Sequence, residues 1–215
     1  MRRPSAKVWA ALLLLIAAGG VALHGQPDLD QKWQYLAPKY QPKLEGREVQ
    51  IDPAELLELM QDDYIDLWIV DVRSESDWNL FHLQDAERIP IDELAKHRKR
   101  FANLPFGAVV VVVSNDEILA TRAWQRLMVL AQPNAYILEG GLNHWLNIYG
   151  HPEDELHGAA PADLTQPDGR LRHPFRLALG DRHPAAHPDP HHVPERSYTK
   201  KVKLLKKVVR KGGCG

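Results

Sequence analysis

The chain has 215 residues and a formal net charge of −1, with 44% hydrophobic and 26% charged residues, which suits one domain with extensions at its ends. So balanced a charge gives no electrostatic case for nucleic acid as a partner. Its single cysteine, Cys214, excludes an intramolecular disulfide, and the scattered histidines give no support to a Cys/His zinc site.

In chain order, the first predicted element is a basic start (Arg2, Arg3, Lys7) followed by an apolar run from Val8 to about Leu23, with no acid before Asp28. Residues 1–25 are therefore expected to be an export signal or an uncleaved membrane anchor, placing the remainder outside the cytoplasm, in the periplasm or held at the membrane. Cleavage is left open, because the run is short for a span of roughly 20 residues. Residues 26–47, polar and carrying Pro27, Pro38 and Pro42, read as a linker.

The globular pattern begins at residue 48. A short strand, "EVQI", precedes a helix with Asp52 as N-cap and Pro53 at its first position. The runs "DLWIVDV" (66–72) and "AVVVVV" (108–113) predict central strands covered on both faces. A helix over 118–130 and a third strand stopped by Gly140-Gly141 complete an alternation of strand and helix. Such alternation predicts an α/β fold with a central parallel sheet flanked by helices. Beyond Tyr149, residues 150–194 are rich in Pro, His, Asp and Gly and read as an extended or disordered appendage. The prolines among His183–His192 prevent a helix that would align imidazoles, so this stretch is read as linker and no metal site is assigned. Residues 195–215 form a basic tail, eight Lys/Arg against one acid, ending in Gly-Gly-Cys-Gly. As a helix its "KVKLLKKVV" suits an anionic membrane surface, and as a strand it could extend the sheet.

Four pieces then line up: Asp71-Val72-Arg73, Asp77-Trp78 with Phe81-His82-Leu83, the strand entering Ser114, and Leu138-Glu139-Gly140-Gly141 with Trp145. Their order and spacing resemble the rhodanese-like domain, a three-layer fold of the sulfurtransferase superfamily, over residues 48–149. Glycines common in the family are replaced at Phe81 and Asp85, which implies a rebuilt turn. In active members a cysteine after the central strand carries sulfane sulfur as a persulfide. The family's spacing places Ser114 at that position, so the resemblance makes Ser114, Asn115, Asp116, Glu117, Ile118 and Leu119 a degenerate active-site loop. Asp71, Arg73 and His82 are implied as residues that support the site, and no cofactor or metal is implied.

The chemistry of the substitution is plain. Sulfur transfer needs a polarisable thiolate, whereas a serine hydroxyl forms no persulfide and needs a neighbouring base even for acyl transfer. No Gly-x-Ser-x-Gly elbow surrounds Ser114. Capping of the following helix by Ser114 or Asn115, with acids in its first turn, is the expected role of the loop. The chain is thus read as a binding or scaffolding module in extracytoplasmic sulfur or redox chemistry. Its expected partners are an extracytoplasmic protein or a thiol or sulfur carrier, and the membrane through the N-terminal segment. The alternative is a sulfurtransferase or persulfide carrier that uses Cys214, flanked by cations that favour a thiolate.

Overall fold

The computed structural model describes residues 28–150, 167–194 and 196–204, together with Lys7 and Ala10. The apolar N-terminal run and Cys214 lie outside these residues. No helix among the described residues is long and apolar enough to cross a membrane.

Five short strands form one parallel sheet: β1 (Gln50–Ile51), β2 (Leu67–Asp71), β3 (Glu87–Arg88), β4 (Val109–Val113) and β5 (Ala135–Leu138). Their order is β1-β5-β4-β2-β3, so β4 sits at the centre. Its register runs from Leu67 opposite Val109 to Asp71 opposite Val113. All five β4 valines are buried, because alternate side chains enter different cores. Val110 and Val112 face one cluster, whereas Val109, Val111 and Val113 face the other.

The first cluster is covered by α1 (Leu29–Glu45), by α5 (Glu117–Val129), and by a 3-10 turn over Ile91–His97 that runs into α4 (Arg98–Ala102). The second is covered by α2 (Pro53–Met60) and α6 (Gly141–Tyr149). The connection from β2 carries α3 (Glu75–Leu80), which begins at Ser74 as N-cap. These layers give the expected α/β class, a central parallel sheet flanked by helices.

Two extensions differ from expectation. The stretch expected as a linker is α1, begun by a capping box in which the Asp28 side chain accepts from Gln31 N–H and Gln31 returns a bond to Asp28 N–H. Trp33 and Tyr40 meet Trp124 edge-on, each at 6.1 Å between ring centroids. Prolines 38 and 42 are accommodated within the helix, so tertiary packing outweighs the local penalty. The apolar residues of this stretch are too sparse to announce a helix without the surface they cover.

The described part of the Pro/His-rich region, likewise, is no free appendage. Residues 167–194 and 196–204 run as a strap over the face covered by α6 and α2. Ala185 and Ala186 are almost fully buried, Trp145 Nε1–H donates to the Ala185 carbonyl at 2.7 Å, and Gly180 bridges to Phe81. Further on, the buried Glu55 takes the N–H groups of Lys201 and Val202 on Oε1 at 2.8 and 2.7 Å. The basic tail is therefore neither helix nor strand over Arg196–Leu204, where it packs in extended form along α2.

The packing of α1 has a direct test. Trp33→Ala is expected to lower unfolding stability by about 1–3 kcal/mol, the range for removing a partly buried aromatic. Urea denaturation would show this as a lower midpoint at nearly unchanged slope; a freely solvated linker would leave the midpoint unmoved.

Candidate functional site

In a parallel sheet the carboxyl ends of the strands face one edge, where the following loops meet. Here that edge gathers Asp71 and Arg73 after β2, Ser114–Asp116 after β4 and Gly140-Gly141 after β5. The sequence motifs converge because of the strand order, in which β4 lies between β2 and β5.

Arg73 holds the edge together. Its side chain is 1% exposed and pairs with Asp71, itself fully buried, through Nη2 at 2.6 Å. Nε–H reaches both Asp71 oxygens at 2.9 and 3.0 Å. The remaining donors reach the Phe81 carbonyl at 2.6 Å and Asn115 Oδ1 at 3.1 Å. One guanidinium thus satisfies the strand end, the turn beyond α3 and the loop after β4.

The candidate loop is closed upon itself. Ser114 is 1% exposed; its hydroxyl donates to the Asp116 carbonyl and accepts from Ala120 N–H at 3.1 Å. The expected cap is displaced by one or two positions: Asp116, not Ser114 or Asn115, caps α5 by accepting from Ile118 N–H at 2.9 Å. Ser114 instead reaches deeper into the first turn, because the chain leaves β4 buried and extends only at Asp116. Glu117 accepts both guanidinium branches of Arg47 at 2.8 Å and Gly140 N–H at 2.8 Å. That hydrogen-bonded pairing pushes the already high Arg47 pKa up further, against the opposing effect of burial. Ile118 stands exposed and Leu119 packs against the first core cluster.

The start of α6 is pressed onto this loop. Leu142 and Asn143 donate their N–H groups to the Ser114 and Asn115 carbonyls at 2.8 and 3.0 Å. Gly141 lies at φ +64°, and a Cβ there would stand 2.6 Å from both Asp116 Cα and the Ser114 carbonyl oxygen. Only glycine combines that conformation with that approach. Donors that an open helix start would offer an anion are already engaged here.

His82 does not serve Ser114. Its Nδ1 lies 2.8 Å from the Trp78 carbonyl, and its ring stacks on Trp78 at 3.6 Å. At the turn where the family's glycines are replaced, Asp85 takes the left-handed conformation at φ +58° and Phe81 is fully buried. Trp145 is fully buried in the second core, and Trp78 is half-buried against the His82 ring. Cys214 lies outside the described residues. Among the described residues no group of His, Cys, Asp and Glu forms a metal site.

Three groups escaped the sequence reading. Asn143 and Gly169 hydrogen-bond across the loop, and Arg47 neutralises Glu117. Beside them lies a cavity of about 200 Å³ lined by Arg47, Asp116, Glu117, Gly140, Asn143 and Arg172. Arg47 pairs there with Glu117 and Glu139, and Arg172 with Asp168 at 3.3 Å. The double glycine signalled close approach but not what would approach.

Replacing Arg73 by alanine would strand the buried Asp71 carboxylate and two further acceptors. Arg73→Ala is expected to cost about 3–5 kcal/mol, as when one partner of a buried pair is removed. Lysine cannot reproduce the fork, so Arg73→Lys should recover only a minor part of the loss in chemical denaturation.

The geometry agrees with the comparisons. The family model of the rhodanese-like domain matches residues 52–148. Among solved structures, a Bacillus halodurans protein shares 21% identity, with 49% of this chain and 77% of that one covered and a TM-score of 0.41. The rhodanese-like domain of an Anabaena protein shares 24%, with 60% and 97% covered and a TM-score of 0.41. A thiosulfate sulfurtransferase of Pseudomonas aeruginosa shares 19%, with 54% and 22% covered and a TM-score of 0.38. No curated protein matches the chain. Residues 52–148 are a rhodanese-like domain.

Proposed function

We propose that this is an exported rhodanese-like protein that does not transfer sulfur at its loop and acts as a binding or scaffolding module in extracytoplasmic sulfur or redox chemistry. The observation that carries the reading is Ser114 itself. An alcohol stands where the family's spacing calls for the sulfur nucleophile, and it is buried with its hydrogen bonds directed at its own loop. Alcohol oxygen lacks the polarisability and acidity that make a thiolate able to accept and release sulfane sulfur. Among the described residues no base is hydrogen-bonded to the hydroxyl, and the Asp116 carboxylate adds negative charge beside it. Export rests on the basic and apolar start of the sequence.

Thiosulfate:cyanide transfer by the full chain tests the reading. Neither the native protein nor Cys214→Ser is expected to turn over. Ser114→Cys is expected to remain silent as well, since the new thiol would be enclosed by the loop and shielded from substrate. Turnover lost in Cys214→Ser would instead support a sulfur carrier working through that thiol, and turnover surviving that substitution would overturn the proposal.

A further inference from the structure

Four main-chain groups of residues 169–172 are satisfied by side chains of the domain. Asn143 donates from Nδ2 to the Arg170 carbonyl at 2.7 Å and accepts the Arg172 N–H on Oδ1 at 2.8 Å. Asn115 donates to the Gly169 carbonyl at 2.9 Å, and Asp116 accepts the Gly169 N–H at 2.6 Å. Asn143, Asn115 and Asp116 are only 3%, 4% and 6% exposed. Asn115 is held from behind by Arg73 and laterally by Asp77, and Asp116 by the first turn of α5.

A carboxamide that meets one carbonyl and one N–H of the same segment pairs with main chain much as a neighbouring strand would. Such contacts read main chain and are indifferent to most side chains. The bound segment fits that description: Pro167–Arg170 are exposed, and the one residue-specific demand is Gly169 at φ +78°, with open space around it. Leu171 packs against the second core, and these hydrogen bonds, each worth about 0.5–1.5 kcal/mol net, hold the main chain on either side of it.

We propose that Asn115, Asp116 and Asn143 form a peptide clamp at the mouth of the Ser114 loop. Its ligand class is a polypeptide segment that bends at a glycine in the position of Gly169, and residues 167–172 occupy it in cis. This rests on the binding-module reading and supplies the class of partner. The tethered segment competes at an effective concentration of order millimolar, so a partner segment binds when the strap is displaced.

The test uses the full chain carrying Gly169→Pro and Arg172→Pro, which removes both strap N–H donors and denies residue 169 its conformation. The probe is a fluorescein-labelled hexapeptide, Pro-Asp-Gly-Arg-Leu-Arg, followed by anisotropy, with circular dichroism confirming that the protein is folded. Saturable binding is expected, weaker by at least about tenfold for the native chain and again on adding Asn143→Ala, as loss of paired hydrogen bonds implies. Should the double variant fail to fold, Gly169→Ala keeps the N–H but strains the strap and is expected to bind more tightly than the native chain. No saturable binding to a folded unseated variant, or equal binding without Asn143, would overturn the clamp. Absent peptide binding beside a silent sulfur-transfer assay removes only the clamp; turnover surviving Cys214→Ser removes the module reading instead.

Discussion

The buried ion pair of Arg73 with Asp71 is the constraint on which the edge of the sheet depends. An unpaired guanidinium or carboxylate in that position would be costly, so each donor must meet an acceptor and the acceptors must come to it. They come from three separate pieces of chain: the end of β2, the turn at Phe81 and the loop at Asn115. Planarity of the guanidinium then sets where these pieces stand relative to one another. A loop whose position is dictated by a buried fork keeps its shape whichever side chain it carries.

That persistence is visible in the loop after β4. The Ser114 hydroxyl is enclosed and bonded to its own turn, and α6 begins against its carbonyls. Glycine at 141 is required for the approach whether the side chain facing the loop carries sulfur or oxygen. Architecture and chemistry are therefore separable here. The polar groups that remain, Asn115, Asp116 and Asn143, face outward to a segment of the same chain, which converts the mouth of the loop into a surface that holds main chain.

The strap also alters what the domain boundary means. The family match ends at residue 148, yet the second core includes Ala185 and Ala186 and is flanked by Phe175, Val193 and Val202. Apolar surface on α2 and α6 that would otherwise meet water is covered by chain far along the sequence. On the opposite face α1 plays the same part over Trp124. Both extensions contribute to the folded unit.

Strand and helix order, the central valine run and the meeting of the motif segments at one sheet edge were legible in the sequence, because continuous apolar runs and fixed motif spacings are local properties. So were the supporting roles of Asp71 and Arg73, two residues apart in the chain and paired in space. The sequence alone did not disclose α1 as a packed helix, the strap, Asp116 as the cap, or the pairing of Asn143 with residues 170 and 172. These depend on contacts between residues far apart in the chain, and the residues involved carry no periodic signal. A polar side chain in a loop declares its chemistry by its identity, but only the folded chain decides which main-chain groups lie within its reach.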